Sequence, residues 1–313
     1  MTNKSSNLPK VSIITPSYNQ GQYLEQTIKS VLDQDYPNLE YILMDGGSTD
    51  NSVEIIKKYA DRLAYWVSEP DDGQADAINK GFQRATGEII AWINSDDLYL
   101  PGTISRAVKV LQENPETGMV YGDLRSINAL GEHVNTIQYT QYDALDLLSL
   151  QIIGQPTVFM RKEVLDKAGH LSLEYNFLMD HHLWLRMIQQ APIKYIPEEW
   201  AAARYHLSAK NVALAEGFGQ EAFKIVEWAK PQPNFQSIIE MNNKEISAGL
   251  YQFDAFYLLD GGKPWLALKA YWQSFVLKPI PTLKKAPRII FAFLSLFGFG
   301  WLRKILKHKY YRQ

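Results

Sequence analysis

Cysteine is absent from all 313 residues, which excludes disulfides and thiolate-held metal sites and is compatible with a reducing compartment. A glycine-rich phosphate cradle is also missing. Where a dinucleotide-binding fold would place G-x-G-x-x-G after its first strand, the chain reads Pro16-Ser17-Tyr18-Asn19-Gln20-Gly21, with one glycine. No G-x-x-x-x-G-K-[ST] loop occurs either, so NAD and ATP-loop chemistry are set aside. Residues 1–10 are polar with no apolar signal region, and predict no export. The apolar stretch Ile289–Leu302 stops at 14 residues, short of the ~20 that a membrane-spanning helix needs. Acid is missing from the C-terminal segment. Residues 263–313 hold 11 Lys plus Arg and no Asp or Glu, whereas the preceding chain holds 21 basic against 34 acidic residues. A net charge of −2 therefore conceals −13 followed by +11, the pattern of a basic tail with an anionic partner.

What is present is ordinary globular material, 46% hydrophobic and 21% charged, long enough for a large core. Short β-branched or apolar runs begin at Val11, Leu39, Leu63 and Ile89, with helical patterns between them. That alternation predicts βαβ units and a parallel sheet. A hairpin is expected around Ala129-Leu130-Gly131, a helix near Lys162, and another carrying Leu183, Met187 and Ile188. Parallel strands bring their C-termini to one edge, where ligands bind. Tyr18, Asp45, Asp71, Asp72, Asp96 and Asp97 all follow such strands and are expected to meet there.

The fourth run, Glu88-Ile-Ile-Ala-Trp-Ile-Asn-Ser-Asp-Asp-Leu98, is the densest signal. A strand buried on both faces ends in adjacent carboxylates, with Pro101 placed to open a helix. Such carboxylates either cap the next helix or hold a hard cation such as Mg²⁺ or Mn²⁺ that keeps sites open for phosphate. An acidic crest with a bridging cation suits a nucleoside diphosphate better than a bare anion.

Val11-Ser-Ile-Ile-Thr-Pro-Ser-Tyr-Asn19, Asp45-Gly-Gly-Ser-Thr-Asp50 and Asn94-Ser-Asp-Asp97, in that order, resemble the successive signatures of family 2 glycosyltransferases. These are inverting, metal-dependent enzymes of the GT-A fold, an α/β architecture with a Rossmann-like, mostly parallel sheet flanked by helices. The resemblance runs from about Val11 to Asn211. It implies a nucleoside pocket lined by Thr15, Pro16 and Tyr18, with Asp45 accepting from the base, most naturally the imide N–H of uracil. Asp96 matches the metal-binding Asp of a D-x-D motif whose first position is Asn94 here; Asn94 then serves a ribose hydroxyl or a water, with Ser95 in the same donor-binding stretch. Gln74 and Asp76, in Gly73–Gly81, are placed to hold phosphate or sugar at a helix N-terminus. Asp180, just ahead of Leu183-Trp-Leu185, stands where the family keeps its general base, although an N-cap is the plain alternative. His206 matches a metal-facing His of several relatives, and Arg204 would approach the diphosphate.

The resemblance therefore implies a GT-A catalytic domain over residues 1–211, with Mn²⁺ or Mg²⁺ as cofactor and one sugar moved from a nucleotide-sugar donor, most naturally a UDP-sugar, to a saccharide or lipid-linked acceptor. Residues 212–262 read as a helical region packed on that domain, and 263–313 as a basic, aromatic membrane-association segment. Its Phe, Leu and Trp residues suit a bilayer interface and not a nucleic acid, which places the protein in the cytoplasm, peripheral on the inner face of the membrane. A helix packed on the catalytic domain or on a second subunit is the alternative. Two rival functions remain: a nucleotidyltransferase of the same fold, which needs a basic glycine-rich loop not found after Thr15, and a non-catalytic sugar-binding scaffold at the membrane, which does not need Asp45, Asp96 and Asp180 together.

Overall fold

The computed structural model describes residues 8–206 and 215–301. The boundary expected at 211–212 and the basic residues beyond Trp301 lie outside the described residues. The strands are β1 (Val11–Ser17), β2 (Leu39–Asp45), β3 (Tyr65–Ser68), β4 (Ile89–Trp92), β5 (Leu98–Tyr99), β6 (Met119–Asn128), β7 (His133–Ile137), β8 (Phe159–Arg161) and β9 (Ile193–Tyr205). Helices α1 (Gly21–Leu32), α2 (Ser52–Lys58), α3 (Gln74–Arg84), α4 (Thr103–Glu113), α5 (Ala144–Leu148), α6 (Lys162–Ala168) and α7 (Met179–Met187) alternate with them. After β9 come α8 (Ala215–Ala229), α9 (Pro233–Asp260), α10 (Pro264–Leu277), α11 (Pro279–Leu283) and α12 (Ala286–Leu296).

One sheet runs in the order β3-β2-β1-β4-β8-β6-β9-β5, with β7 hydrogen-bonded to β6. β3, β2, β1 and β4 are mutually parallel, as the βαβ pattern predicts. All seven residues of β1 are buried, which is why the strand reads as a continuous β-branched run without alternation. The covering helices are amphipathic: α1 turns Tyr23, Leu24, Thr27, Ile28 and Val31 inward. α3 lies so close to β1 that a Cβ on Gly81 would stand 2.5 Å from an Ile14 methyl. Beyond β4 the sheet becomes mixed, with β8 antiparallel to both β4 and β6 and β6 parallel to β9. The helix expected after Pro101 forms as α4, which starts at Thr103 after a left-handed Gly102, and a two-residue strand, β5, precedes the proline.

The apolar core continues without a break from the sheet through α8 into α9 as far as Leu250. Farther on, Ala255, Ala270 and Tyr271 form one small cluster, and Leu259, Ala267 and Ala292 another. α9 kinks at Asn242, whose side-chain amide donates to the Ile238 carbonyl at 3.0 Å and competes with the helical ladder. Among the described residues no helix is long and apolar enough to cross a membrane.

Candidate active site

The lateral register of the parallel strands assembles the site. Asp45 pairs with Ser17 of β1 on one side and with Ser68 of β3 on the other. Past the ends of β1 and β2 the two loops are knitted together by Asn19, which takes a positive φ of 52°. Its N–H donates to the Ser48 hydroxyl at 2.8 Å, and its side-chain oxygen accepts from Thr49 N–H at 2.8 Å. Asp50 accepts the N–H of Gly21 at 2.9 Å, so the second loop also anchors the start of α1.

Above these ends lies a cavity of about 960 Å³, a volume that accommodates a nucleotide-sized ligand. Pro16, Tyr18, Gln74, Asn94, Ser95, Asp96, Asp180 and Arg204 line it, together with an apolar wall that includes Trp92, Leu124, Phe177, Met179 and Phe218. Residues as far apart in sequence as Pro16 and Phe218 thus share one chamber. Tyr18 is exposed at its mouth. Asp71 also lines it and accepts the N–H of Gly73 at 2.8 Å, which fixes the turn into α3; neither Asp71 nor Asp72 caps that helix.

Thr15, Asp45, Asp76 and His206 lie outside the cavity lining. Thr15 is fully buried in β1 and shares a hydrogen bond with the Tyr41 hydroxyl at 3.0 Å. The buried Asp45 carboxylate accepts from the Ser48 N–H at 2.9 Å, the Ser48 hydroxyl at 2.6 Å and the Ser68 hydroxyl at 2.6 Å. Two of these bonds hold the Gly46–Ser48 turn and the third ties Asp45 to β3. Asp76 accepts the N–H of Asp72 at 3.1 Å and pairs with Lys80 at 2.9 Å; that Lys80 hydrogen bond draws its carboxyl below the ordinary carboxylate range.

The carboxylates after β4, equivalent in sequence, separate in space. Asp97 is buried, accepts the Arg204 N–H at 3.0 Å and the Asn94 amide at 3.3 Å. Burial, and then the charge of Asp96, push its carboxyl well above the ordinary range. Both line the cavity, but Asp96 is the more accessible, and its Oδ2 stands 2.9 Å from His206 Nε2. His206 is itself buried, with its ring 5.1 Å from that of Tyr23. Asn94 links two sides of the loop: it accepts from the Gln74 amide at 2.7 Å while donating to Asp97. An ionised Asp there would have no proton to donate to Asp97.

Arg204, which lines the cavity, is also tied into the protein. Its guanidinium donates to the carbonyls of Asp96 at 3.0 Å and Ala129 at 3.1 Å and to Gln26 Oε1 at 2.9 Å, and lies 4.6 Å from the Tyr23 ring centroid. With donors on backbone carbonyls and on Gln26, it ties the Asn94–Asp97 loop to β6 and α1. Asp180 occupies the second position of α7. The helix has no side-chain cap; Leu178 holds the cap position, and Asp180 Oδ1 accepts the N–H of His181 at 2.7 Å. The capping alternative for Asp180 is therefore not realised.

Gln155 was not singled out by sequence reasoning, yet it lines the cavity and donates to the Trp92 carbonyl at 2.8 Å. Asn19, Ser48 and Ser68 were also passed over, although the tolerance of Asn for positive φ is a signal for the first. His181 and His182 are packing residues. His181 Nε2 shares a hydrogen bond with the Leu147 carbonyl, and burial lowers its pKa to about 4. The His182 ring lies 4.4 Å from both Tyr175 and Trp228.

Residues 12–169 match the family described as Glycosyl transferase family 2. A Nostoc sp. protein described as an uncharacterized glycosyltransferase is 35% identical over 254 residues, 76% of this chain and 74% of its own. A Rickettsia conorii protein of the same description is 29% identical over 210 residues, 63% of this chain; the chain spans 34% of that relative's length. Mannosyltransferase PcManGT from Pyrobaculum calidifontis, solved in complex with GDP-Man and Mn²⁺, superposes with a TM-score of 0.63 at 20% identity, over 97% of this chain and 89% of that one. S. aureus TarS 1-349, solved in complex with UDP-GlcNAc, gives 0.55 at 17% identity, over 86% and 89%. At these identities the likeness is one of fold, the GT-A α/β arrangement with a helical C-terminal region.

Proposed function

The chain belongs to glycosyl transferase family 2, and from that premise we propose that it moves one sugar from a nucleotide-sugar to an acceptor hydroxyl with inversion at the anomeric carbon. The observation that carries this reading is that Asp96 and Asp180, remote in sequence, line a single cavity. The strand-end side, with Pro16, Tyr18 and the Gly46–Gly47 backbone, takes the nucleoside. Asp45 contributes by holding that turn through Ser48. A uridine donor is the reading for the base; TarS was solved with UDP-GlcNAc and PcManGT with GDP-Man, both nucleoside diphosphate sugars.

In this mechanism Asp180 takes the proton of the acceptor hydroxyl as its oxygen bonds to the anomeric carbon, and the bond from that carbon to the diphosphate oxygen breaks on the opposite side. The diphosphate leaves as an anion that needs no proton, so one catalytic carboxylate is sufficient. The residues present fit a divalent cation. Asp96 Oδ2 and His206 Nε2, an oxygen and a nitrogen donor of the kinds such ions accept, stand 2.9 Å apart and would hold the ion together. Among the described residues no group of three or more metal-binding side chains occurs; Mg²⁺-type ions are commonly held by one or two protein ligands together with substrate phosphate. Mn²⁺ or Mg²⁺ held there would neutralise charge on the departing diphosphate. The test is a panel of UDP- and GDP-sugars with Mn²⁺, scored by release of nucleoside diphosphate. Release from at least one is expected, and release from none contradicts the reading.

The acceptor side of the proposal is a lipid-linked saccharide at a membrane surface. α10 exposes Trp265, Lys269, Trp272 and Val276, and α12 exposes Ile290, Phe293 and Phe297, with Lys284 and Lys285 between the helices. Arg288 and Lys278 are paired internally with Asp260 and Glu245, whereas Lys269, Lys284 and Lys285 are exposed. Each basic residue beside an anionic leaflet contributes ~1 kcal/mol, and each fully inserted large apolar side chain ~1.5–3 kcal/mol. Replacing the exposed Phe293 and Phe297 with Ser leaves the packed Ala292 in place. The double variant should lose most co-sedimentation with phosphatidylglycerol-containing vesicles while retaining UDP affinity. Equal partitioning of variant and wild type would rule the membrane contact out.

A further inference from the structure

The loop that leads into Asp180 is held by a residue from a distant helix. Three consecutive backbone N–H groups converge on the Glu221 carboxylate of α8: Asn176 donates to Oε1 at 2.6 Å, and Phe177 and Leu178 donate to Oε2 at 2.8 Å each. Leu178 is the cap residue of α7, and Asp180 follows two positions later. Hydrogen bonds to an ionised acceptor are about twice as strong as neutral ones, and three successive N–H groups on one carboxylate fix the backbone direction of the whole turn. The rest of α8 grips the same segment. The Phe218 ring lies 5.0 Å from that of Phe177, Lys224 lies 4.8 Å from the Tyr175 ring, and Trp228 meets His182 edge-on. Asn176, Phe177, Asp180 and Phe218 all line the cavity.

We infer that Glu221 is the positioning residue for the general base: through the amides of Asn176–Leu178 it sets where the Asp180 carboxylate stands relative to the acceptor oxygen. The inference rests on the glycosyl-transfer reading and adds to it a residue outside the 12–169 family match. An ordinary surface glutamate would have no reason to spend both oxygens on a loop more than 40 residues away. A misplacement of about 1 Å at a reacting group costs ~10²-fold in rate.

The experiment uses the full chain with UDP-N-acetylglucosamine and GDP-mannose as donor probes and water in the acceptor's place, measuring nucleoside diphosphate release. Glu221→Gln can keep two of the three hydrogen bonds but turns its own N–H₂ toward that of Asn176; Glu221→Ala keeps none. The expected result is graded, a fall in kcat of ~10-fold for Gln and ~10²-fold for Ala, with donor KM and UDP affinity within about twofold of wild type. Hydrogen exchange at Phe177 and Leu178 should quicken in the same order. A merely structural Glu221 would lower the melting temperature and leave kcat per folded molecule unchanged, which overturns the inference. Should the Ala variant not fold, the near-isosteric Gln variant decides by the same split. If the wild type turns over and the variants match it, this inference alone falls; if the wild type releases nothing from any nucleotide-sugar, the glycosyl-transfer reading falls first.

Discussion

Asp180→Asn is expected to abolish transfer, by ~10² to 10⁴-fold, without weakening the donor complex. Asn matches Asp in size and can still accept the His181 N–H that Oδ1 accepts at 2.7 Å. α7 does not depend on Asp180 for its cap, and its anchorage is the buried set of Leu183, Trp184, Leu185 and Met187. What the substitution removes is the ability to take a proton. Calorimetry with UDP and Mn²⁺ should therefore give wild-type affinity while single-turnover transfer collapses. Transfer within a few-fold of wild type would mean that the base is another group.

Asp96→Ala should have the complementary effect. The Mn²⁺-dependent part of UDP affinity vanishes, and the fold stays intact. Strand β4 is secured by Ile89, Ile90 and Trp92, all buried, and the loop is braced by Arg204 acting on the Asp96 carbonyl, which the substitution keeps. The remaining His206 is a single imidazole, too few ligands to retain a hard cation beside a diphosphate. Titrating UDP with and without Mn²⁺ on wild type and variant checks this. An unchanged metal increment in the variant would remove Asp96 from the donor site.

These two residues show how the sequence can be read and where reading stops. The parallel half of the sheet was legible because its strands are short apolar runs separated by helical periodicity, and the strand-end rule then placed Asp96 and Tyr18 at one edge. β5 was not, since two residues carry no period. Asp96 and Asp97 look identical in sequence, and both line the cavity; the approach of Arg204 from β9, 107 residues later, buries Asp97 and leaves Asp96 the more accessible. Arg204 itself reads as a phosphate ligand because a cation near an acidic crest suggests an anion; its bonds to backbone carbonyls have no sequence signal. The bonds that Asp45 accepts from Ser48 and Ser68 have none either. Glu221 had no local signal at all. It sits in a helical pattern like any solvent-facing glutamate, and its role exists only through contacts 43 to 45 residues away.

The measurement that bears most directly on the central claim is the anomeric configuration of the first-formed product, followed by proton NMR during turnover of whichever α-linked nucleotide-sugar the chain accepts. A single displacement assisted by Asp180 gives the β-configured product alongside one equivalent of nucleoside diphosphate. Formation of the α-configured product, or consumption of donor without release of nucleoside diphosphate, would contradict the account.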